Sequence, residues 1–164
     1  HHPSSAASDV YKRQKEKGLA TILNPAPACE IDDDDFKLID FFTPNETEAE
    51  FYLNKKIETE KDIKSASEEF LKKGIKNIVI TLGEKGCYFA NKKENFFIEA
   101  FKLKSPVLDT TGAGDAFNGA LAVGLSKDLD IKEALIFANQ VAAISTTKQG
   151  AAASMPSLED IKNY

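Results

Sequence analysis

The segment Asn77–Leu82 (NIVITL) constrains the fold more than any other part of the sequence. It is a continuous apolar, largely β-branched run, which is typical of a strand buried on both faces in a parallel sheet. A helical pattern over Glu60–Lys73 precedes it, with its apolar side chains on one face and Gly74 at its end. Strands that alternate with helices imply parallel β-α-β units. The sequence therefore predicts a layered α/β fold with a mostly parallel sheet flanked by helices.

Further elements are predicted on both sides of this run. Strands are expected at 18–23, 40–43, 87–90 and 95–98, and helices at 32–39, 46–53, 113–125 and 131–145. The strands 87–90 and 95–98 are separated only by a polar turn, so they are expected to form a hairpin.

Residues 1–14 differ from the rest of the chain. They show no helical or strand period, and the composition changes abruptly at Lys15. We expect 1–14 to be a non-native leader and 15–164 to be the domain. Because Lys15 falls inside an element rather than at a domain start, we also expect native sequence to precede it.

The composition excludes several classes of function. The net charge is -5 and no apolar run could span a bilayer, so we expect no nucleic-acid and no membrane partner. The two cysteines, Cys29 and Cys87, lack CxxC spacing, which indicates free thiols in a reducing cytoplasm. The only histidines are His1 and His2, so Ser-His-Asp, Cys-His and HExxH chemistry is excluded.

The segment Asp109–Gly119 (DTTGAGDAFNG) carries the clearest chemical signal. Gly112 and Gly114 stand at the start of a predicted helix, where glycine lets the backbone approach a ligand and the first amides lack helical partners. These amides and the helix dipole favour an anion such as a phosphoryl group. Asp115 falls in the first turn, where a carboxylate can accept a proton from an attacking hydroxyl.

Three other interpretations of this segment exist, and its residues exclude two of them. A dinucleotide fingerprint requires GxGxxG, and Phe117 occupies the third glycine position. A P-loop requires a GK[ST] ending, which neither this segment nor Gly83–Gly86 supplies. A glycine-rich helix start that Asp115 merely caps stays open on these residues alone.

Five segments occur in the order and spacing of the PfkB carbohydrate-kinase family. They are Asn24–Ala28 (NPAPA), Thr43–Glu50 (TPNETEAE), Thr81–Gly86 (TLGEKG), Asp109–Gly119 and Lys148–Ala151 (KQGA). The chain resembles this family from about Lys15 to its C-terminus, and NPAPA and TPNETEAE resemble ribokinase-type members in particular. The resemblance begins in mid-fold. It implies a ribokinase-like fold that lacks its N-terminal half, its lid and most of its sugar-binding residues.

The resemblance assigns the catalytic roles to one segment. It implies that Asp115 is the catalytic base and contacts the sugar hydroxyl, and that Gly112, Ala113 and Gly114 form the anion hole.

The resemblance also implies a nucleotide site. Asn45 and Glu48 match an NxxE motif that helps hold magnesium and the nucleotide phosphates, although a plain helix start after Pro44 explains the same residues. The implied nucleotide-binding residues are Asn45, Thr81, Leu82, Gly83, Glu84, Lys85, Gly86, Gly114 and Asn139.

An activating monovalent cation, usually potassium, is implied just outside the anion hole. The matching positions are Asp109, Thr111, Ser145, Lys148, Gly150 and Ser154. Several of them would contribute only backbone carbonyls, so Lys148 is tolerated where the family often has arginine, and Ser145 where it often has alanine. One carboxylate with carbonyl and hydroxyl oxygens suits an alkali cation.

Together these implications predict an incomplete part of a kinase that phosphorylates the primary hydroxyl of ribose. Its cofactors would be ATP, magnesium and potassium, its ligands ATP and a small sugar, and its full-length parent a homodimer. Two alternatives stay open: another PfkB-type sugar or nucleoside kinase, such as a fructokinase, or a non-catalytic nucleotide-binding module. We expect the chain alone to be inactive.

Overall fold

The computed structural model describes the backbone of residues 3–164 and the side chains of residues 9, 10 and 12–164. These residues form two compact units. The first runs as far as Gly83 and also includes Cys87–Phe97. The second consists of Glu84–Gly86 and Ile98–Tyr164. Both units are therefore discontinuous in sequence.

Most of a five-stranded sheet lies in the first unit, with the strand order β1-β2-β3-β4-β5. The strands are β1 (Ile22–Leu23), β2 (Phe41–Phe42), β3 (Asn77–Thr81), β4 (Cys87–Asn91) and β5 (Asn95–Ile98). The pairs β1-β2 and β2-β3 are parallel, and β3-β4 is antiparallel. The sheet is therefore mixed, and the predicted hairpin after β3 is confirmed.

Three helices belong to the first unit: α1 (Pro3–Glu16), α2 (Glu46–Leu53) and α3 (Glu60–Lys72). Its hydrophobic core joins α2 and α3 to one face of the sheet. Phe42 of β2 is central to this core, with its ring 5.2 Å from that of Phe70 and 5.4 Å from that of Tyr52, both edge-on. Edge-to-face aromatic pairs add stability beyond the area that they bury.

The second unit contains α4 (Ala113–Ser126), α5 (Ile131–Ser145) and α6 (Leu158–Lys162). Helices α4 and α5 pack closely, because a Cβ at Gly124 would lie 3.0 Å from the Cβ of Ala134. Ala134, Leu135, Ala138 and Val141 of α5 are buried. Helix α6 was not predicted. None of the described helices is long and apolar enough to cross a bilayer.

The structure differs from the sequence-based elements most strongly in three places. Residues 3–14, expected to lack regular structure, belong to α1, which begins at Pro3, a residue favoured at the first helical position. His1 and His2 lie outside the described residues. The strand predicted at 18–23 pairs only at Ile22–Leu23. The helix predicted at 32–39 is reduced to a 3-10 turn at Phe36–Leu38, because aspartates are poor helix formers.

Candidate functional site

Asn45 and Glu48 form the first turn of α2 in the first unit. Asn45 is the N-cap: its Oδ1 accepts the Glu48 amide at 2.8 Å, and Oε2 of Glu48 accepts the Asn45 amide at 2.8 Å. This reciprocal pair is a capping box. Asn45 and Glu48 therefore do start a helix, and among the described residues Oε1 of Glu48 and Nδ2 of Asn45 have no hydrogen-bond partner.

The carboxyl ends of β2 and β3 lie side by side in this unit. Asn45 forms a parallel bridge with Thr81, and the Thr81 amide donates to the Pro44 carbonyl at 3.0 Å. Ligands of open α/β sheets bind outside the carboxyl ends of parallel strands. The structure thus brings Asn45, Glu48 and Thr81 together at such an edge. Leu82 packs its side chain into the core, so only its backbone is available to a ligand.

The TLGEKG segment makes a tight turn directly after β3. A 3-10 turn spans Gly83–Lys85, and Gly83 and Gly86 have positive φ angles of 57° and 97°. At Gly86 a Cβ would lie 2.0 Å from the carbonyl oxygen of Ile98, so a side chain cannot be accommodated there. Glu84 and Lys85 are exposed and available to solvent or a ligand.

The second unit contains the glycine-rich start of α4. Its N-cap, Gly112, has a φ of 78° and no side-chain cap, and a Cβ there would lie 3.1 Å from Cα and Cβ of Ala151. The Ala113 amide donates to the Thr110 carbonyl at 3.2 Å, whereas no described hydrogen bond from outside the helix engages the amides of Gly114 or Asp115. Of the three implied anion-hole residues, Ala113 therefore has its amide engaged, whereas the amides of Gly112 and Gly114 have no such partner among the described residues.

Asp115 is exposed in the first turn of α4. Within the described residues, no ion pair or hydrogen bond engages its carboxylate. An exposed carboxylate beside open amides can accept a proton from a hydroxyl that attacks a phosphoryl group bound at those amides.

The carboxylate of Asp109 joins two loops of the second unit. Its Oδ1 accepts the Thr111 amide at 2.9 Å, and its Oδ2 accepts the Gly150 amide at 2.9 Å. Hydrogen bonds from the Thr111 hydroxyl and from these two amides lower the pKa of Asp109 to about 2. Asp109 is therefore ionised at neutral pH and ties the loop before α4 to the loop after α5.

The other implied cation ligands lie in these same two loops or at the end of α5. The hydroxyls of Ser145 and Ser154 donate to backbone carbonyls at 2.7 Å and keep their own lone pairs. The ammonium of Lys148 lies 3.2 Å from Oδ1 of Asp160, so α6 holds that charge and only the Lys148 backbone is left as a ligand. An ionised carboxylate with hydroxyl and carbonyl oxygens fits an alkali cation.

Magnesium has a smaller set of protein ligands. Across the described part of the chain there is no group of three or more His, Cys, Asp or Glu side chains placed to hold a metal. Magnesium commonly keeps several waters and uses one or two carboxylates with substrate phosphates. The free Oε1 of Glu48 fits that mode of binding, and Nδ2 of Asn45 is a donor that suits a phosphate oxygen rather than the metal.

Asn139 lies on the buried side of α5. Asn139 is 9% exposed and takes part in an interaction within the protein. Its implied role beside an adenine base stays a prediction.

Two features of the site go beyond the sequence analysis. The reciprocal bonds of Asn45 and Glu48 follow from their N-x-x-E spacing, which is a capping-box signal. The bond from Gly150 to Asp109 spans 41 positions, and no local pattern predicts it.

Known proteins resemble this chain along nearly its whole length. Ribokinase of Staphylococcus aureus (strain COL) is 41% identical over 160 residues, which are 97% of this chain and 52% of that protein. Deoxyribokinase of Salmonella typhi is 37% identical over 151 residues, 92% of this chain and 49% of that protein. The solved structure of Arabidopsis thaliana ribokinase complexed with ribose and ATP matches with a TM-score of 0.92 and 30% identity, covering 98% of this chain and 52% of that one.

The chain spans about half the length of the curated relatives that it matches. The family match covers residues 4–158 under the description "pfkB family carbohydrate kinase". It begins inside the stretch expected to be a leader, and that assignment stays a prediction. Because this match extends over most of the sequence and the fold agrees with it, the chain belongs to the pfkB family of carbohydrate kinases.

Proposed function

We propose that the protein of which this chain is a part transfers the γ-phosphoryl group of ATP to the primary hydroxyl of ribose. The observation that carries this proposal is the start of α4, where open amides stand next to the exposed carboxylate of Asp115. The relatives named ribokinase, at 41% and 40% identity, support ribose as the acceptor.

Asp115 acts as the general base in this proposal. Its carboxylate accepts the proton of the sugar hydroxyl as the hydroxyl oxygen attacks the γ-phosphorus, and the bond from that phosphorus to the bridging oxygen of ADP breaks. General-base assistance requires that the carboxylate lie within hydrogen-bond reach of the proton that it accepts. Such assistance typically contributes about 10²–10⁴-fold to the rate.

The helix-start amides stabilise charge on the transferring group. Phosphoryl transfer requires positioning and electrostatic stabilisation more than covalent chemistry from the protein. The amides of Gly114 and Asp115 provide two fixed donors, and Gly112 allows the backbone to take this shape. Magnesium, when bound, neutralises charge on the nucleotide phosphates.

The remaining assignments follow family positions. We assign Asn45 and Glu48 to magnesium and the phosphates, Thr81–Gly86 and Asn139 to the nucleotide, and the Asp109–Gly150 loops to a potassium ion. For Asn45 and Glu48, one carboxylate oxygen and one amide are left over by the capping box. For potassium, the support is the ionised Asp109 within a set of hydroxyl and carbonyl oxygens.

The proposal extends to the context of the full-length protein. We propose that it works in the cytoplasm, which agrees with the free thiols of Cys29 and Cys87. We also propose that it is a homodimer formed through a lid outside this chain, and that this chain alone is inactive.

A substrate panel tests the proposal. Purified full-length protein is supplied with ATP, magnesium and potassium, and ADP release is followed with ribose, 2-deoxyribose, fructose and adenosine. We expect ribose to give the highest kcat/KM and the 164-residue chain to release no ADP. ATP binding without turnover on any acceptor would favour the non-catalytic module, and a tenfold preference for another acceptor would replace ribose with it.

A further inference from the structure

Asn24 follows β1 at the same sheet edge as Asn45 and Thr81. In the β1-β2 register Leu23 stands opposite Phe42, and the Leu23 carbonyl accepts the Thr43 amide at 3.0 Å. Continued by one residue, this register places Asn24 opposite Thr43. Asn45 lies two residues further along, so the Cα atoms of Asn24 and Asn45 are about 8 Å apart by strand spacing.

The alternation of side chains places Asn24 on the sheet face away from the core of the first unit. Leu23 packs against that core, and successive side chains of a strand point to opposite faces. Asn24 thus shares a face with Thr43 and, by register, with Asn45 and Thr81. Pro25 follows and restricts Asn24 to an extended conformation, which continues the strand to this point.

The loop that begins at Asn24 is held at its far end by α2. The Tyr52 hydroxyl donates to the Cys29 carbonyl at 2.8 Å, and the Cys29 amide donates to the Tyr52 hydroxyl at 3.4 Å. The Tyr52 ring packs against Phe42 in the core. Strand pairing at Leu23 and these bonds at Cys29 fix both ends of the loop, so the position of Asn24 is defined before a ligand binds.

The side chain of Asn24 is available to a ligand. It is partly exposed, and no hydrogen bond of the described residues engages it. A neutral amide can donate to an anion without electrostatic repulsion from a like charge. Asn24, Asn45 and Thr81 therefore make a row of three uncharged polar residues across the ends of three parallel strands.

We propose that Asn24 donates a hydrogen bond from Nδ2 to a phosphate oxygen of the bound nucleoside triphosphate. The inference rests on the proposed function only in requiring that the nucleotide binds at this edge. A phosphate oxygen suits the free amide donors of Asn24 and Asn45, and magnesium, when bound, would offset the charge of the Glu48 carboxylate at the same edge.

Two substitutions of Asn24 in the full-length protein test the inference. Asn24→Ala removes the donor and is expected to weaken ATP binding, measured by calorimetry, by at least about tenfold. Asn24→Asp keeps the shape of the side chain but places a negative charge beside the phosphates. We expect it to weaken ATP binding about 100-fold. The KM for ribose should not change with either variant. If Asn24 instead bound a cation, Asn24→Asp would bind ATP with magnesium as well as or better than the wild type, and the proposal would fail.

Asn95→Ala is the matched control. Asn95 is also exposed, but it follows the turn at the amino end of β3, the opposite edge of the sheet, and its replacement should leave ATP affinity unchanged. Thermal unfolding checks the fold, and Asn24→Leu, which keeps the size of the side chain but has no donor, replaces an Asn24→Ala variant that does not fold. Unchanged ATP affinity in the folded Asn24→Ala or Asn24→Leu variant overturns the inference.

The two proposals fail in different ways. A wild-type protein that binds ATP through Asn24 but phosphorylates no ribose contradicts the proposed function alone. A protein that phosphorylates ribose with the same ATP affinity after Asn24→Ala contradicts the inference alone. Absence of ATP binding in the wild type overturns both.

Discussion

The start of α2 is capped by side chains, whereas the start of α4 is not. At α2, Asn45 and Glu48 satisfy each other's amides in a complete capping box. The starts of α3, α5 and α6 also have side-chain caps. Among these five helices, all in the described part of the chain, α4 alone begins without one. A cap stabilises a helix by about 1 kcal/mol, so an uncapped start trades stability for open amides that can bind a ligand.

The open start of α4 is supported from the loops behind it. Gly112 packs against Ala151, and Asp109 holds the Gly150 amide. These contacts fix the backbone that a side-chain cap would otherwise help to order. The difference between the helix starts is therefore that α2 is stabilised by its own side chains, whereas α4 is stabilised by distant loops that leave its amides free.

The largest expected effect comes from Asp115→Asn in the full-length protein. The variant lacks the general base, so we expect kcat to fall by about 10²–10⁴-fold while the Kd for ATP changes less than twofold. Steady-state kinetics with ribose and calorimetry with ATP measure the two quantities.

Asp128→Asn is the matched control for that variant. Asp128 is exposed just beyond the other end of α4 and has a positive φ of 57°, a conformation that asparagine tolerates. Its kcat should equal that of the wild type. An Asp115→Asn protein with wild-type turnover would remove Asp115 from the role of base.

The next effect compares Gly112, which precedes α4, with Gly119 in its interior. Gly112→Ala places a Cβ at a positive φ and 3.1 Å from Ala151, so we expect a loss of about 1–3 kcal/mol in the free energy of unfolding and at least about tenfold in kcat. Gly119→Ala meets no atom within 4 Å and should gain about 0.5–1 kcal/mol. Urea unfolding and kinetics test both; equal stability of the two variants would contradict a strained start at Gly112.

A third comparison uses two capping boxes with different surroundings. Asn45→Ala and Thr59→Ala each remove an N-cap, and each should cost about 1 kcal/mol of stability. Only Asn45→Ala should also raise the KM for ATP, by about tenfold, because Asn45 stands at the carboxyl end of β2. Equal KM values for the two variants would show that Asn45 caps α2 and does not contribute to ATP binding.

The smallest expected effect concerns the pH dependence of Asp109. Its folded-state pKa is lowered to about 2, chiefly by the hydrogen bond from the Thr111 hydroxyl. An unfolded aspartate has a pKa of about 3.9. A lowered pKa contributes stability above the unfolded value that is lost as the pH falls toward about 2. The Tm of the wild type should therefore exceed that of Asp109→Asn at pH 6, and the gap should narrow between pH 4 and pH 2. A gap independent of pH would contradict this account.

The elements that local patterns define were predicted closely. The bounds of α2 and α5 match the predicted 46–53 and 131–145, and the predicted β3 is one residue too long. The strands β1 and β2 were overextended, because only two residues of each pair and tertiary context decides where pairing stops. Helix α1 was missed, since a largely polar helix has no apolar period.

The candidate site was likewise predicted where a local pattern defines it and was not predicted where tertiary contacts decide it. The GxGD pattern located the start of α4, because glycines and an aspartate at a helix start are a local signal. The pattern could not show that the Ala113 amide donates to the Thr110 carbonyl. That bond depends on the backbone conformation at Gly112, and a glycine can adopt many conformations. Nor could the pattern show that Asp109 reaches Gly150, because that contact depends on how α4 and α5 pack.

A crystal structure of the full-length protein with ribose and a non-hydrolysable ATP analogue tests the central claim most directly. We expect an oxygen of the Asp115 carboxylate within about 2.6–3.2 Å of the ribose primary hydroxyl, and a γ-phosphate oxygen at hydrogen-bond distance from the amides of Gly114 and Asp115. A γ-phosphate bound away from the start of α4, or a ribose hydroxyl out of reach of Asp115, would contradict it.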